Sequence, residues 1–178
     1  MTAVIFNGKE FVKNKEEKLI RVLRDLGDVG KVPKLVAILV GDNLESELYL
    51  KLKRKAAERL GIDFEMKKFS GKSLPEITSF IQEKNNNPSV DGIMIELPLP
   101  KEISPISLIS LIGPDKDVDC LTAENLRLLE EGKPKFVPPT VKAVGEILKE
   151  AVRLGILGDL GDLKVVVVGS EGTVGKGS

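Results

Sequence analysis

Leu35 to Val40 is a near-continuous apolar run closed by Gly41-Asp42-Asn43, and no other stretch constrains the fold as strongly. An apolar residue at successive positions suits a strand covered on both faces, as in a parallel sheet flanked by helices. The neighbouring segments fit that demand. Leu19, Ile20, Val22, Leu23 and Leu26 follow helical spacing, with Gly27 as a stop. After the strand a serine-capped helix is expected from near Ser46 to Gly61, with Leu48, Leu52, Ala56 and Leu60 as its buried stripe. Phe64, Met66 and Lys68 then share one face of a short alternating strand.

The alternation continues. Ser73-Leu74-Pro75-Glu76 reads as a capping box with proline at the first helical position, and Ile77, Phe80 and Ile81 follow at core spacing. Asn85-Asn86-Asn87-Pro88 breaks that helix. A third strand over 90–97 closes in Pro98-Leu99-Pro100, and Ser104-Pro105 opens a short helix that Gly113 ends. Strand and helix in alternation predict an α/β fold, a three-layer domain with a parallel sheet and flanking helices. A boundary follows Phe136-Val137-Pro138-Pro139-Thr140, where Thr140 is the expected cap of a helix striped by Val141, Val144, Ile147, Leu148, Ala151 and Val152. A glycine-rich turn over 155–161 leads to a fresh apolar strand at 164–169 and a glycine cluster.

Composition narrows the chemistry. The 178 residues suit one domain, or one plus part of another. Lys+Arg and Asp+Glu balance at 27 each, so no net field draws nucleic acid or an anionic membrane. No apolar run approaches the roughly 20 residues that span a bilayer, and no secretory leader pattern opens the chain. A single cysteine, Cys120, excludes an internal disulfide framework and fits a reducing cytoplasm. With no histidine, Ser-His-Asp and Cys-His catalysis are removed and no metal site is expected. Acid–base work falls to Lys, Tyr, Asp or Glu.

Tyr49 and Lys53 lie four apart and share a helix face. They project beyond the carboxyl end of the preceding strand, where open α/β sheets bind ligands. On spacing alone the plainer reading, a packed tyrosine and a solvated lysine, stays ahead. Glu96 falls at the carboxyl end of a buried strand, where a charge is costly unless paired or solvated. Asp117 and Asp119 occupy a loop after Gly113-Pro114, with local turn and cap hydrogen bonding as the alternative role. The tail, Gly169-Ser170-Glu171-Gly172-Thr173-Val174-Gly175-Lys176, follows a strand, the context of a phosphate-binding turn. It is no Walker A loop, because its glycines are one residue too far apart and Lys176 precedes Gly177. It also lacks Gly-x-Gly-x-x-Gly spacing, so a plain turn remains the alternative.

Taken together, these motifs resemble the bifunctional methylenetetrahydrofolate dehydrogenase/methenyltetrahydrofolate cyclohydrolase family. Val40-Gly41, then Ser46, Tyr49, Lys53 and Gly61-Ile62, match its Val-Gly strand end and Ser-x-x-Tyr-x-x-x-Lys helix. Asp91 to Pro100 match its Asp-Gly-Ile-x-Val-Gln-Leu-Pro-Leu-Pro, with Glu96 in place of glutamine. Lys116 to Asp119 match Lys-Asp-Val-Asp-Gly, with Cys120 in place of glycine, and Phe136, Pro138 and Thr140 match Phe-x-Pro-Cys-Thr, with Pro139 in place of cysteine.

The resemblance implies a folate-binding catalytic α/β domain over 1–140, a linking helix and turn over 141–161, and the first strand of an incomplete, truncated Rossmann domain over 162–178. It implies oxidation of 5,10-methylenetetrahydrofolate with NADP (or NAD) and hydrolysis of the methenyl product to 10-formyltetrahydrofolate. The implied catalytic residues are Lys53, Tyr49, Glu96 and Asp119; Ser46, Leu97, Pro98 and Pro100 join Tyr49 and Asp119 in binding substrate. Gly169, Ser170, Glu171, Thr173, Val174 and Gly175 would meet the cofactor, although the charge of Glu171 opposes a phosphate there. Tetrahydrofolate derivatives are the implied small-molecule partners, with a cytoplasmic homodimer as the assembly. Glu96 beside Lys53 favours the ammonium over the free amine, and an ammonium is a poor base for activating water. Low cyclohydrolase activity is therefore expected, and weak dehydrogenase turnover from a short cofactor platform. The alternative is a truncated or degenerate relative that binds folate or a partner without catalysis.

Overall fold

The computed structural model describes residues 6–71, 73–162, 164 and 166. The chain divides into two compact units, one spanning Phe6–Asp117 and the other built mainly from Val118 onward. The expected strand at 164–169 and its glycine turn lie outside the described residues, apart from Lys164 and Val166.

The first unit runs α1 (Gly8–Asp28), β1 (Lys34–Val40), α2 (Leu44–Leu60), β2 (Asp63–Phe69), α3 (Leu74–Asn86), β3 (Gly92–Ile95) and α4 (Pro105–Ile109). Its strands form one parallel sheet in the order β2-β1-β3, the α/β architecture expected. β1 is the middle strand, with Leu35 opposite both Phe64 and Gly92, which is why Val36 to Val40 are all buried. The two-residue period divides the sheet's faces. Val36, Ile38 and Val40, with Ile93 and Ile95, join Ile77 and Ile81 of α3 in the main core. Met94 and Glu96 point to the opposite face, where α2 lies.

Sequence and structure part company at α2. The helix begins at Leu44, and Asn43 caps it by accepting from the Ser46 N–H at 2.9 Å. Ser46 is therefore inside the first turn, not the cap. The buried residues are Ser46, Leu50 and Ala57, whereas Leu48 and Leu52 are 61% and 55% exposed. Apolar residues occupy more than one stripe of this helix. The stripe turned to the sheet is the one that lets Lys53 reach a buried acid and buries small Ala57.

Smaller differences have simple causes. Ser73 caps α3 without a side-chain hydrogen bond, and Pro75 takes the second position of the helix. β3 is four residues long, not eight. After the Glu96 N–H donates to the Ile38 carbonyl at 2.9 Å, Pro98 and Pro100 have no N–H to extend a ladder. Beyond α4, Lys116 stitches the loop back: its carbonyl accepts from the Ile93 N–H at 2.7 Å. Its Nζ donates to the Lys84 and Asn87 carbonyls at 2.9 and 2.6 Å, a cation on the C-terminal carbonyls of α3.

In the second unit α5 spans Ala123–Glu130, α6 Pro139–Arg153, and a short 3-10 turn Leu160–Asp162. Pro139, at the first helical position after Pro138, opens α6 with a φ already suited to the helix, so Thr140 is not the cap. Along the α6 stripe Ala151 is buried, while Val144 is 52% exposed. Cys120 is fully buried with φ of 57°, a left-handed conformation that costs a side-chain-bearing residue about 1 kcal/mol or more. Its Sγ donates to the Phe136 carbonyl at 3.3 Å. At this position glycine should be the better small substitute. Cys120→Gly is expected to unfold at higher urea than Cys120→Ala, by about 1 kcal/mol, the reverse of the usual order. Among the described residues no helix is long and apolar enough to cross a membrane.

Candidate active site

Lys53 projects from the third turn of α2 toward β3. Its Nζ donates to Glu96 Oε2 at 2.8 Å and lies 4.0 Å from Met94 Sδ. The same ammonium sits 4.6 Å from the centroid of the Tyr49 ring, one turn earlier on the helix, within cation–π reach. The Glu96 side chain is 7% exposed and that of Lys53 28%. A carboxylate shut away that far needs a partner to stay charged, and Lys53 supplies it while keeping one side toward solvent. Tyr49 is 55% exposed, so its ring presents a flat apolar face outward.

Met94 was not singled out by sequence. The signal was available, since a strand places residues two apart on one face and Met94 precedes Glu96 by two. Ser46 is buried, and its hydroxyl makes a long 3.5 Å contact with the Leu97 carbonyl. It ties the first turn of α2 to the chain leaving β3. Leu97-Pro98 is a cis peptide in that exit.

Beyond the carboxyl end of β1 a hollow of about 220 Å³ is walled by Gly41, Asp42 and Asn43 on one side and Pro98 to Pro100 on the other. Gly41 has φ of +86°, and a Cβ there would stand 3.1 Å from Pro100 Cγ. Only glycine satisfies both the turn and that close approach. Lys53, Tyr49 and Glu96 are not part of this wall. Lys68 braces the same end of the sheet, reaching Asp42 at 3.1 Å and Glu47 at 3.0 Å. Lys51 also meets Glu47, at 3.0 Å, and hydrogen bonds from Lys68 and then Lys51 hold the Glu47 carboxyl below its usual range.

The remaining acids divide. Asp91 accepts from the Lys34 N–H at 2.9 Å and pairs with Lys31 at 3.4 Å, which fixes the start of β1. Asp117 is 1% exposed and forms a parallel bridge with Ile93. Asp119 belongs to the second unit and is half-buried there. So Lys53, Tyr49 and Glu96 meet, with Ser46 and Leu97 in contact beside them. Gly169, Ser170, Glu171, Thr173, Val174 and Gly175 are outside the described residues.

An acid held against an amine, both next to an exposed aromatic face, can bind a flat heteroaromatic ligand and exchange protons with it. A model of the tetrahydrofolate dehydrogenase/cyclohydrolase catalytic domain matches residues 6–119. A bifunctional protein FolD from Bacillus velezensis is 40% identical over 177 residues, covering 99% of this chain and 61% of the relative. The bifunctional FolD methylenetetrahydrofolate dehydrogenase/cyclohydrolase of Campylobacter jejuni superposes with a TM-score of 0.79 at 33% identity, over 82% of this chain and 52% of that one. The Trypanosoma brucei methylenetetrahydrofolate dehydrogenase-cyclohydrolase, solved with NADP and an inhibitor, gives 0.80 at 30% identity, over 85% and 53%. The chain thus spans about 61% of the length of the curated relative.

Proposed function

The chain belongs to the tetrahydrofolate dehydrogenase/cyclohydrolase family, and we propose that its region to residue 140 binds tetrahydrofolate derivatives for one-carbon metabolism. The reactions are oxidation of 5,10-methylenetetrahydrofolate with NADP and hydrolysis of 5,10-methenyltetrahydrofolate to 10-formyltetrahydrofolate. The reading is carried by the Lys53 ammonium held between Glu96 and the Tyr49 ring. Tyr49 offers a stacking face for the folate, and Leu97, Pro98 and Pro100 form a wall at the exit of β3. Lys53 polarises the bridging nitrogen and steadies the attacking water. Asp119 accepts charge-assisted hydrogen bonds from the polar edge of the pterin. Ser46 serves the site from within, through the Leu97 carbonyl. NADP, present in the Trypanosoma brucei structure, would take up the hydride; the residues expected to hold it lie outside the described part of the chain. A cytoplasmic homodimer completes the proposal.

The test pairs loss of methenyltetrahydrofolate and reduction of NADP with equilibrium binding of a folate to the purified chain. Folate binding with slow hydrolysis is expected, because a charged carboxylate stands 2.8 Å from Lys53 Nζ where the family motif has a neutral glutamine. Glu96→Gln should raise hydrolysis by about tenfold, equal to ~1.4 kcal/mol of barrier. An unchanged rate would remove the charge argument. Binding with neither reaction would favour the second reading, a folate-binding relative without catalysis, which the Glu96 carboxylate itself motivates.

A further inference from the structure

We propose that Glu96 is a specificity determinant that makes this site prefer the cationic methenyl form of the folate over neutral tetrahydrofolate forms. The inference rests on the folate reading above and deepens it. Its basis is the charge of the site. Lys53 Nζ and Glu96 Oε2 stand 2.8 Å apart, with the carboxylate 7% exposed, and among the described residues the neutral Met94 and Tyr49 also lie against Lys53. The cluster's formal charge is therefore zero. Were position 96 a neutral amide, the same cluster would carry the full charge of Lys53.

The substrates differ in the same quantity. The one-carbon bridge of 5,10-methenyltetrahydrofolate is an amidinium and carries a positive charge, delocalised over N5, the bridging carbon and N10. In tetrahydrofolate and the 5,10-methylene form those nitrogens are uncharged near pH 7. A lysine facing the bridge repels the methenyl form and is nearly indifferent to the others; a neutral Lys53–Glu96 pair lifts that repulsion. Tyr49 adds to the preference, because its exposed ring attracts a cation on its face. Two unit charges a few ångströms apart at a partly wet site interact strongly enough to move an equilibrium constant about tenfold.

The experiment measures dissociation constants of 5,10-methenyltetrahydrofolate and of tetrahydrofolate for the full chain and for three variants, with circular dichroism confirming each fold. The ratio of the two constants is the readout, because a general loss of packing weakens both ligands alike. Glu96→Gln should shift the ratio about tenfold against the methenyl form. Glu96→Asp, which keeps the charge, should leave it near the parent value. Lys53→Met removes the opposite charge and should shift the ratio the other way, so the idea remains exposed if the glutamine variant does not fold. Both folates bound with a ratio unmoved in Glu96→Gln and Lys53→Met would overturn this inference and leave the folate reading intact. No binding of either folate by the parent would remove the folate reading, and the specificity argument with it.

Discussion

Replacing Lys53 by methionine should cut hydrolysis of methenyltetrahydrofolate by about 10²–10⁴-fold, the range lost with a positioned proton-transfer or charge-stabilising group. Folate binding should fall far less, since the Tyr49 ring and the 97–100 exit remain. The substitution fits sterically: a thioether can lie along the path of the lysine stem, against Met94. Its cost is electrostatic, because Glu96, 7% exposed beside Lys53, loses its ammonium partner. Full isolation of a buried charge costs about 3–5 kcal/mol, but solvent reaches the Lys53 side, so a destabilisation of about 1–2 kcal/mol is expected. The double variant Lys53→Met/Glu96→Gln should regain that stability in urea unfolding without regaining activity. Hydrolysis by Lys53→Met at the parent rate would end the assignment of Lys53 as a catalytic residue.

The part of the site visible in sequence is the part that depends on period and on strand ends. Tyr49 and Lys53 are four apart, and a helix of any start point puts them on one face; the shift of three residues at the α2 cap, from Ser46 to Asn43, does not disturb that. Glu96 at a strand's carboxyl end is a statement of alternation and burial, and it survives the shortening of β3 to four residues. What sequence does not show is which of several apolar stripes turns inward. Leu48 and Leu52 are larger and more apolar than Ser46 or Ala57, yet the latter are buried, because the pairing of Lys53 with Glu96 is a tertiary contact between residues 43 apart in the chain. The Ser46 contact with the Leu97 carbonyl is equally long in range. Cys120 reads the other way: by resemblance it stands where glycine is usual, and its φ of 57° gives that usage a backbone reason.

Lys84→Met should destabilise the first unit by about 2 kcal/mol at neutral pH, and the loss should depend on pH in a defined sense. Lys84 lies on α3 and is 8% exposed. Its Nζ reaches Glu65 of β2 at 2.8 Å and Glu83 at 3.2 Å, and lies 4.8 Å from the Phe80 ring centroid. Glu65 in turn meets Lys34 at 3.1 Å, so deleting Lys84 leaves the carboxylate one partner and the cost falls below that of a fully orphaned charge. Methionine keeps most of the buried stem, which isolates the charge contribution. Partial burial pushes the Glu65 carboxyl up, but hydrogen bonds and charge from Lys84 and Lys34 outweigh it and leave it below the ordinary carboxylate value. The Glu65 hydrogen bond raises Lys84, against burial that lowers it. A depressed acid contributes stability above its unfolded value, about 4.3, and loses it as pH falls through the folded value. A raised lysine contributes below about 10.4 and loses that contribution as pH climbs through its folded value. The gap between parent and Lys84→Met should therefore be flat from about pH 5 to 10 and close on either side. Urea unfolding at pH 3 and pH 7 measures it, and a gap equally wide at both would show that packing, and not the Glu65 pair, sets the contribution of Lys84.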